Sequence, residues 1–202
     1  MIQTSQNFYT AVENRRSIYG ISKEAVISDD RIEEIVAKAI KHAPSAYNSQ
    51  SGRAVILLGA NHDKLWNITE AALKEKVPAE NFKPTEEKMA GFRNGYGTIL
   101  FFEDQTVVKS LQEKFPSYQE RMPDYSLQSS GMLQYIVWAA LEVEGFGASL
   151  QHYNPIIDEA VQTIWGIPEN WRLMSQIPFG KPTAGPREKQ YNSVEERMKV
   201  FK

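Results

Sequence analysis

Ser129-Ser130-Gly131-Met132-Leu133-Gln134-Tyr135-Ile136-Val137-Trp138-Ala139-Ala140-Leu141-Glu142-Val143-Glu144 is the stretch on which the fold reading turns. Met132, Leu133, Ile136, Val137, Ala139, Ala140, Leu141 and Val143 place apolar side chains around much of a helical circumference. Such a helix is buried on several sides. Gly145 and Gly147 stop it, since glycine takes up the left-handed backbone that closes helices.

Downstream, Ala148 to Tyr153 reads as a short strand, Asp158 to Trp165 as a short amphipathic helix and Arg172 to Phe179 as another strand. Lys181 to Lys202 is rich in proline and charge, and it either frays or wraps another surface. Upstream, residues 107–127 have weak periodicity and read as a surface subdomain or lid. Thr98-Ile99-Leu100-Phe101-Phe102 is a buried strand that runs into Glu103 and Asp104. Residues 77–95 are polar, with Pro78 and Pro84, and form a helix or covering loop. His62 to Lys76 reads as a helix and Arg53 to Gly59 as a buried strand.

The clearest helix begins after Ser28, a cap residue followed by Asp29 and Asp30 at the positive end of the helix dipole. Ile32, Ile35, Val36, Ala39 and Ile40 line its face, and Pro44 ends it. A first helix covers residues 5–15, with Ser5 as N-cap and Phe8 and Val12 on one face. Helix outweighs strand, so the class is α+β: a small mixed sheet flanked by helices, in one domain over residues 1–202.

Composition removes several kinds of chemistry. The chain has 202 residues, 42% hydrophobic and 24% charged, as in ordinary globular proteins. Its formal net charge of -2 argues against a general nucleic-acid or anionic-membrane binder, yet allows a local basic pocket. With no cysteine there is no disulfide, thiolate nucleophile, iron-sulfur cluster or thiolate zinc site. The first residues carry neither the charged flank nor the apolar run of a signal peptide, and no segment approaches the roughly 20 apolar residues of a membrane helix. The expectation is a cytoplasmic protein. His42, His62 and His152 have no ligand spacing, so no metal site is expected. No G-x-S-x-G elbow and no Walker sequence occurs. Gly145-Phe146-Gly147 lacks the third glycine of a dinucleotide fingerprint and precedes a strand.

Two segments remain as binding elements. Asn14-Arg15-Arg16-Ser17 offers two guanidiniums and a hydroxyl, and arginine holds phosphate through a planar fork. The plainer reading is a pair of solvated charges at a helix end. Ala43-Pro44-Ser45-Ala46-Tyr47-Asn48-Ser49-Gln50 offers uncharged donors and acceptors, or is simply a polar turn. Together they suit an anionic, phosphate-bearing, planar ligand.

These elements resemble the nitroreductase family of FMN-dependent oxidoreductases. Arg15-Arg16-Ser17 is similar to its N-terminal R-[RH]-S element, and Pro44 to Gln50 to its P-S-x-x-N-x-Q element. Gly147 to Pro155 resembles the hallmark of a subgroup related to the fatty-acid-repression-mutant and copper-induced nitroreductases. The elements stand in the family's order over nearly the whole chain. The chain departs from many relatives in having Ser51-Gly52 after the glutamine, His152-Tyr153 in place of Glu-Gly, and Tyr191 in place of a second basic tail residue.

The resemblance implies a nitroreductase-like fold and an FMN site. Arg15, Arg16 and Ser17 bind the phosphate, completed by Lys189 and Arg187 of the tail. Pro44, Ser45, Ala46, Asn48 and Gln50 line the flavin from the other subunit of a homodimer. Leu150, Gln151 and His152 lie along its other side; for His152 a strand histidine satisfied by backbone is an equal reading. Arg93 and Asn94 are candidates for a mid-chain flavin contact. Phe115, Tyr118 and Tyr125 are candidates for a substrate lid, with plain packing as the alternative. The helix at 129–144 is either the centre of one monomer core or partly covered by the second subunit. The tail 181–202 is expected to wrap that subunit.

The implied activity is NAD(P)H-dependent reduction of a small aromatic acceptor, a nitroaromatic or quinone, by ping-pong hydride transfer through FMN. NADH or NADPH is the donor, and no side chain is a catalytic nucleophile. No nucleic acid or membrane is an expected partner. The alternative is a flavin-binding regulatory or stress-response protein with little turnover. A third reading is a non-flavin interaction protein that uses helix 129–144 as its partner surface.

Overall fold

The computed structural model describes residues 8–202. Five strands form one sheet: Ile21–Ser22 (β1), Gly52–Leu58 (β2), Gly97–Asp104 (β3), Gly147–Ala148 (β4) and Trp171–Pro182 (β5). The order is β1-β5-β3-β2, with β4 also paired to β5. Every pairing of these strands is antiparallel. Among the described residues parallel geometry is confined to the bridge Ser17–Ala148, so the sheet expected as mixed is antiparallel there, with one parallel bridge.

β3 is the centre of the sheet. It pairs with β2 from Gly52–Glu103 to Leu58–Gly97, and with β5 from Gly97–Phe179 to Asp104–Trp171. All eight of its residues are buried. Strand side chains alternate between faces, so Ile99 and Phe101 enter one core while Leu100 and Phe102 enter another. A strand covered on both faces reads as a continuous apolar run, which is why this one is plain in the sequence.

Among the described residues there are seven helices: Phe8–Asn14 (α1), Asp29–His42 (α2), Gly59–Lys74 (α3), Lys83–Arg93 (α4), Gln105–Lys114 (α5), Met122–Val143 (α6) and Asp158–Trp165 (α7). Five of them supply those covers. On one face, Ile32, Val36 and Ala39 of α2 pack with Leu133, Val137 and Leu141 of α6. On the other, Leu65 and Trp66 of α3, Met89 and Phe92 of α4 and Val161 of α7 pack together. Ser28 caps α2 as expected, its Oγ accepting the Arg31 amide at 3.3 Å. Ile40, expected on the buried face of α2, is 39% exposed.

α6 starts earlier than its apolar pattern indicates, with Pro123 in its first turn, where a missing amide hydrogen costs nothing. α5 and a 3-10 turn at Pro116–Arg121 take up the rest of residues 107–127, so that stretch is largely helical. α6 ends at Gly145, whose φ of +92° lies where glycine alone is comfortable. α6 buries Ser129, Ser130, Leu133, Val137 and Leu141, while Met132 and Val143 are exposed.

Other elements differ in detail. The helix expected from His62 begins three residues earlier, directly off β2. The strand expected over 148–153 shortens to β4 plus an isolated bridge between Gln151 and Gln176. Phe8 is exposed, and Ala11 is the buried residue of α1. The Ser5 cap lies outside the described residues. The chain from Lys181 onward is exposed throughout. Among the described residues, no helix is long and apolar enough to cross a membrane.

Candidate functional site

Arg15, Arg16 and Ser17 leave the end of α1 and are anchored by the Ser17–Ala148 bridge, with the Ile18 amide donating to Ala148 O at 2.9 Å. The tail returns beside them. Arg15, Arg16, Ser17, Tyr19, Arg187, Glu188 and Lys189 line one cavity of about 290 Å³. Four cations face a single carboxylate there, although the chain as a whole has a net charge of -2. That asymmetry concentrates positive potential in one concave place.

The arginines are held rather than loose. Arg16 Nη2 donates to Arg187 O at 2.6 Å, tying the two ends of the chain together. The Arg15 guanidinium lies 4.3 Å from the Trp138 ring centre and 5.6 Å from that of Tyr135. These aromatic faces on α6 orient it by cation–π attraction. Arg15 Nε is buried with no hydrogen-bond partner among the described residues, a donor that an anion would satisfy. Arg187 lies over Tyr19 at 5.3 Å, and Lys189 over Tyr191 at 4.9 Å.

A second cavity of about 490 Å³ adjoins the first through the shared Tyr19 and Arg187. Its far wall is α4, with Pro84, Glu87, Lys88, Gly91 and Phe92. Lys88 Nζ stands 5.7 Å from the ring of Tyr153. Burial pushes the Tyr153 phenol up to about 12, so it stays protonated at neutral pH. Sequence reasoning missed Tyr19 and Lys88. The α4 pattern, with Met89 and Phe92 inward, leaves Lys88 beside the buried face and was the available signal.

Leu150, Gln151 and His152 precede Tyr153 but line neither cavity. Leu150 packs on the core beneath α2 and α6. Gln151 is buried, exchanges backbone bonds with Gln176 and donates its side-chain amide to Ser149 Oγ at 3.0 Å. His152 is exposed. Arg93 is ion-paired to Glu70, which also takes Lys74 at 2.8 Å, so its charge is already engaged. Asn94 is exposed at the end of α4.

The Pro44–Gln50 segment holds stored strain. Tyr47, Asn48 and Gln50 have φ of 55°, 52° and 51°, the only positive values outside glycine among the described residues. Such backbone is disfavoured for L-residues and persists where surroundings impose it. Ser45 Oγ accepts the Gln50 amide at 2.9 Å, and Ser129 Oγ on α6 accepts the Ala46 amide at 3.3 Å. Arg53 Nη1 donates to Gln50 O at 2.7 Å. Phe115 stacks on Tyr47, ring centres 4.4 Å apart, which places this expected lid residue on the segment. Tyr118 is half exposed and Tyr125 half-buried, and neither lines a cavity described above.

Pro44, Ser45 and Gln50 line a third cavity of about 300 Å³, together with Arg53, Glu103, Leu133 and Trp171. Ala46 and Asn48 belong to the turn but not to this wall. Burial pushes the Glu103 carboxyl up, against the bonds from Ser126 and Ser51. For Asp104 burial also acts upward. The side chain of Asn170, the Thr106 amide and Arg53 together outweigh it and hold the carboxylate below its usual range. No residue of the third cavity lines the cation-rich one.

A family model described as the Nitroreductase family matches residues 12–181. The chain belongs to the nitroreductase family. The nitroreductase FRM2 of Saccharomyces cerevisiae is 34% identical over 187 residues, covering 92% of this chain and 93% of the yeast protein. The nitroreductase CinD from Lactococcus lactis, solved in complex with chloramphenicol, superposes with a TM-score of 0.90 at 42% identity. That match covers 97% of this chain and all of CinD, which has also been solved with 4-nitrophenol. A Desulfovibrio desulfuricans protein solved with FMN shares the fold, with a TM-score of 0.69 at 20% identity over 98% of this chain and 99% of its own. The nitroreductase assignment makes the chain an oxidoreductase of this fold.

Proposed function

We propose that this nitroreductase uses FMN to carry electrons from NADH or NADPH to a nitroaromatic or quinone acceptor. The observation that carries the reading is the cation-rich cavity, which gathers Arg15, Arg16, Ser17, Arg187 and Lys189 from opposite ends of the chain. Three forked guanidiniums, a hydroxyl, an ammonium and a buried unpaired Arg15 Nε suit a phosphate monoester. The residues therefore fit the FMN phosphate. The chemistry supplied by bound FMN is hydride acceptance from the nicotinamide and, once that has left, reduction of the second substrate, a ping-pong sequence.

The chain's own residues bind and orient. Arg16 grips phosphate while fixing the tail through Arg187 O. Trp138 and Tyr135 hold the Arg15 guanidinium in register. Lys88 puts a cation on the wall of the adjoining cavity, where negative charge on a bound aromatic ring is favoured. Ser45, Asn48 and Gln50 supply neutral donors and acceptors from a turn whose strain pre-sets its shape.

The phosphate cavity and the Pro44–Gln50 cavity share no residue within one chain, which supports a flavin site shared between two chains of a homodimer. The tail beyond Lys181, exposed throughout, then wraps the second subunit, and residues 107–127 with Phe115, Tyr118 and Tyr125 border the acceptor. CinD's capture of chloramphenicol and 4-nitrophenol supports nitroaromatic acceptors.

Anaerobic stopped-flow mixing of the FMN-loaded protein with NADH, and separately with NADPH, tests the reading. At least one nucleotide should bleach the flavin band within the enzyme's turnover time. If neither does, the protein binds flavin without being an NAD(P)H oxidoreductase.

A further inference from the structure

The Pro44–Gln50 turn is held partly by hydrogen bonds and partly by a ring. Ser129 Oγ accepts the Ala46 amide, Ser45 Oγ accepts the Gln50 amide, and Arg53 donates to the Gln50 carbonyl. Tyr47 stands between these anchors with a φ of 55°. Its ring meets that of Phe115, centres 4.4 Å apart and planes 20° from parallel. Neither ring belongs to either apolar core, and Tyr47 is 52% exposed. The stack is therefore a contact between two surface segments.

Phe115 has an equally singular place on its own side. It ends α5, its amide donating to Leu111 O at 3.0 Å, and it precedes the 3-10 turn Pro116–Arg121. Gln112 Nε2 donates to Gln119 O at 3.0 Å and folds that turn back on α5. From Glu113 to Arg121 every residue is exposed except Phe115. A segment with so few buried apolar contacts opens at low free-energy cost unless something pins it. Phe115 is the pin, and Tyr47 is what it is set against. Phe115 lines none of the three cavities described above, so it reaches a ligand in them through Tyr47.

We propose that Phe115 is a positioning residue for the cofactor: its ring fixes Tyr47, and through Tyr47 the left-handed turn from which Ser45, Asn48 and Gln50 reach the flavin. The inference rests on the flavin reading of this turn. Left-handed backbone at Tyr47 is unfavourable by itself, and a stacked aromatic pair contributes stabilisation of comparable size. The coupling runs both ways, because linkage between two events is reciprocal. A flavin that orders the turn also pins residues 113–121, so the segment beside the acceptor tightens when the cofactor binds and loosens when it leaves.

FMN titration of the desalted protein by fluorescence quenching tests the coupling, in the parent and in four variants. Phe115→Ala and Tyr47→Ala should each weaken FMN by about 2- to 12-fold, the range of one ring pair. Phe115→Tyr and Tyr47→Phe, which keep the rings, should bind as the parent does. The double alanine variant should bind no more weakly than the weaker single, since one contact is lost only once. Trypsin cleavage after Lys114 and Arg121 gives the second reading. FMN should slow it in the parent and in the two aromatic variants, and should leave it unchanged in the alanine variants. Circular dichroism checks folding; if Phe115→Ala does not fold, Tyr47→Ala carries the same test. Unchanged FMN affinity in the alanine variants, additive losses in the double variant, or equal protection by FMN with and without the rings would overturn the proposal while leaving the flavin site intact. A parent that binds no FMN would overturn the flavin reading, and this inference with it.

Discussion

Replacing Arg16 by alanine separates the phosphate site from everything else a flavin touches. Arg16 is the cleaner of the two arginines to remove. Arg15 also packs on Trp138 at 4.3 Å, so its loss would disturb α6. A hydrogen bond from a charged donor to a phosphate oxygen contributes about 1.5–3 kcal/mol. At about 1.4 kcal/mol per decade, FMN affinity should fall roughly 10- to 150-fold. Arg16 also holds Arg187 O at 2.6 Å, so the tail loosens with it and the effect should lie toward the upper end. The assay compares FMN with riboflavin, which lacks the phosphate, by quenching of flavin fluorescence. Arg16→Ala should weaken FMN and leave riboflavin almost unchanged, and the thermal midpoint of the apoprotein should stay close to that of the parent. Equal losses for the two ligands, or none for FMN, would refute the phosphate assignment.

Two further predictions concern stability. His62 is 1% exposed, bonded to Thr98 Oγ1 at 2.9 Å, and burial pushes its pKa down to about 4 from 6.5. The unfolded chain therefore gains the proton first as pH falls, so this contribution is complete above pH 6.5 and is lost between there and pH 4, about 3 kcal/mol in all. Urea unfolding across that range should show a shallower pH slope for His62→Gln than for the parent; identical slopes would remove His62 as the cause. Gln50→Gly relieves a φ of 51° and should raise unfolding free energy by about 0.5–1 kcal/mol, seen as a higher urea midpoint, while weakening flavin binding. A lower midpoint would mean that this backbone stores no strain.

Much of the frame could be read from side-chain periodicity. β3 announces itself because both its faces are covered, and α2 because Ser28 and its apolar face agree. β1 could not be read, since two residues carry no period and owe their pairing to the end of β5. The true start of α6 was hidden because its first turns, from Met122, are polar on most sides and are fixed by packing. At the site, Arg15, Arg16 and Ser17 are visible as residue types, and the company of Arg187 and Lys189 is implied by the family resemblance alone, since no period or spacing links residues so far apart in the chain that line one cavity. Glu103 reads as the polar end of a strand, and its burial depends on Ser51 and Ser126, which lie far from it in sequence. Nothing in the composition of Tyr47, Asn48 and Gln50 signals three left-handed residues. Ser129 holds that turn from α6, and Ser45 and Arg53 brace it locally through the Gln50 amide and carbonyl.

The central claim is that the two ends of this chain build a flavin phosphate site, and the visible spectrum of the protein after incubation with FMN and exhaustive desalting tests it most directly. The account predicts a retained flavin band at close to one FMN per chain, abolished or sharply reduced in the Arg16→Ala, Lys189→Ala double variant. A protein that emerges colourless, or a double variant that keeps its full flavin band, would contradict it.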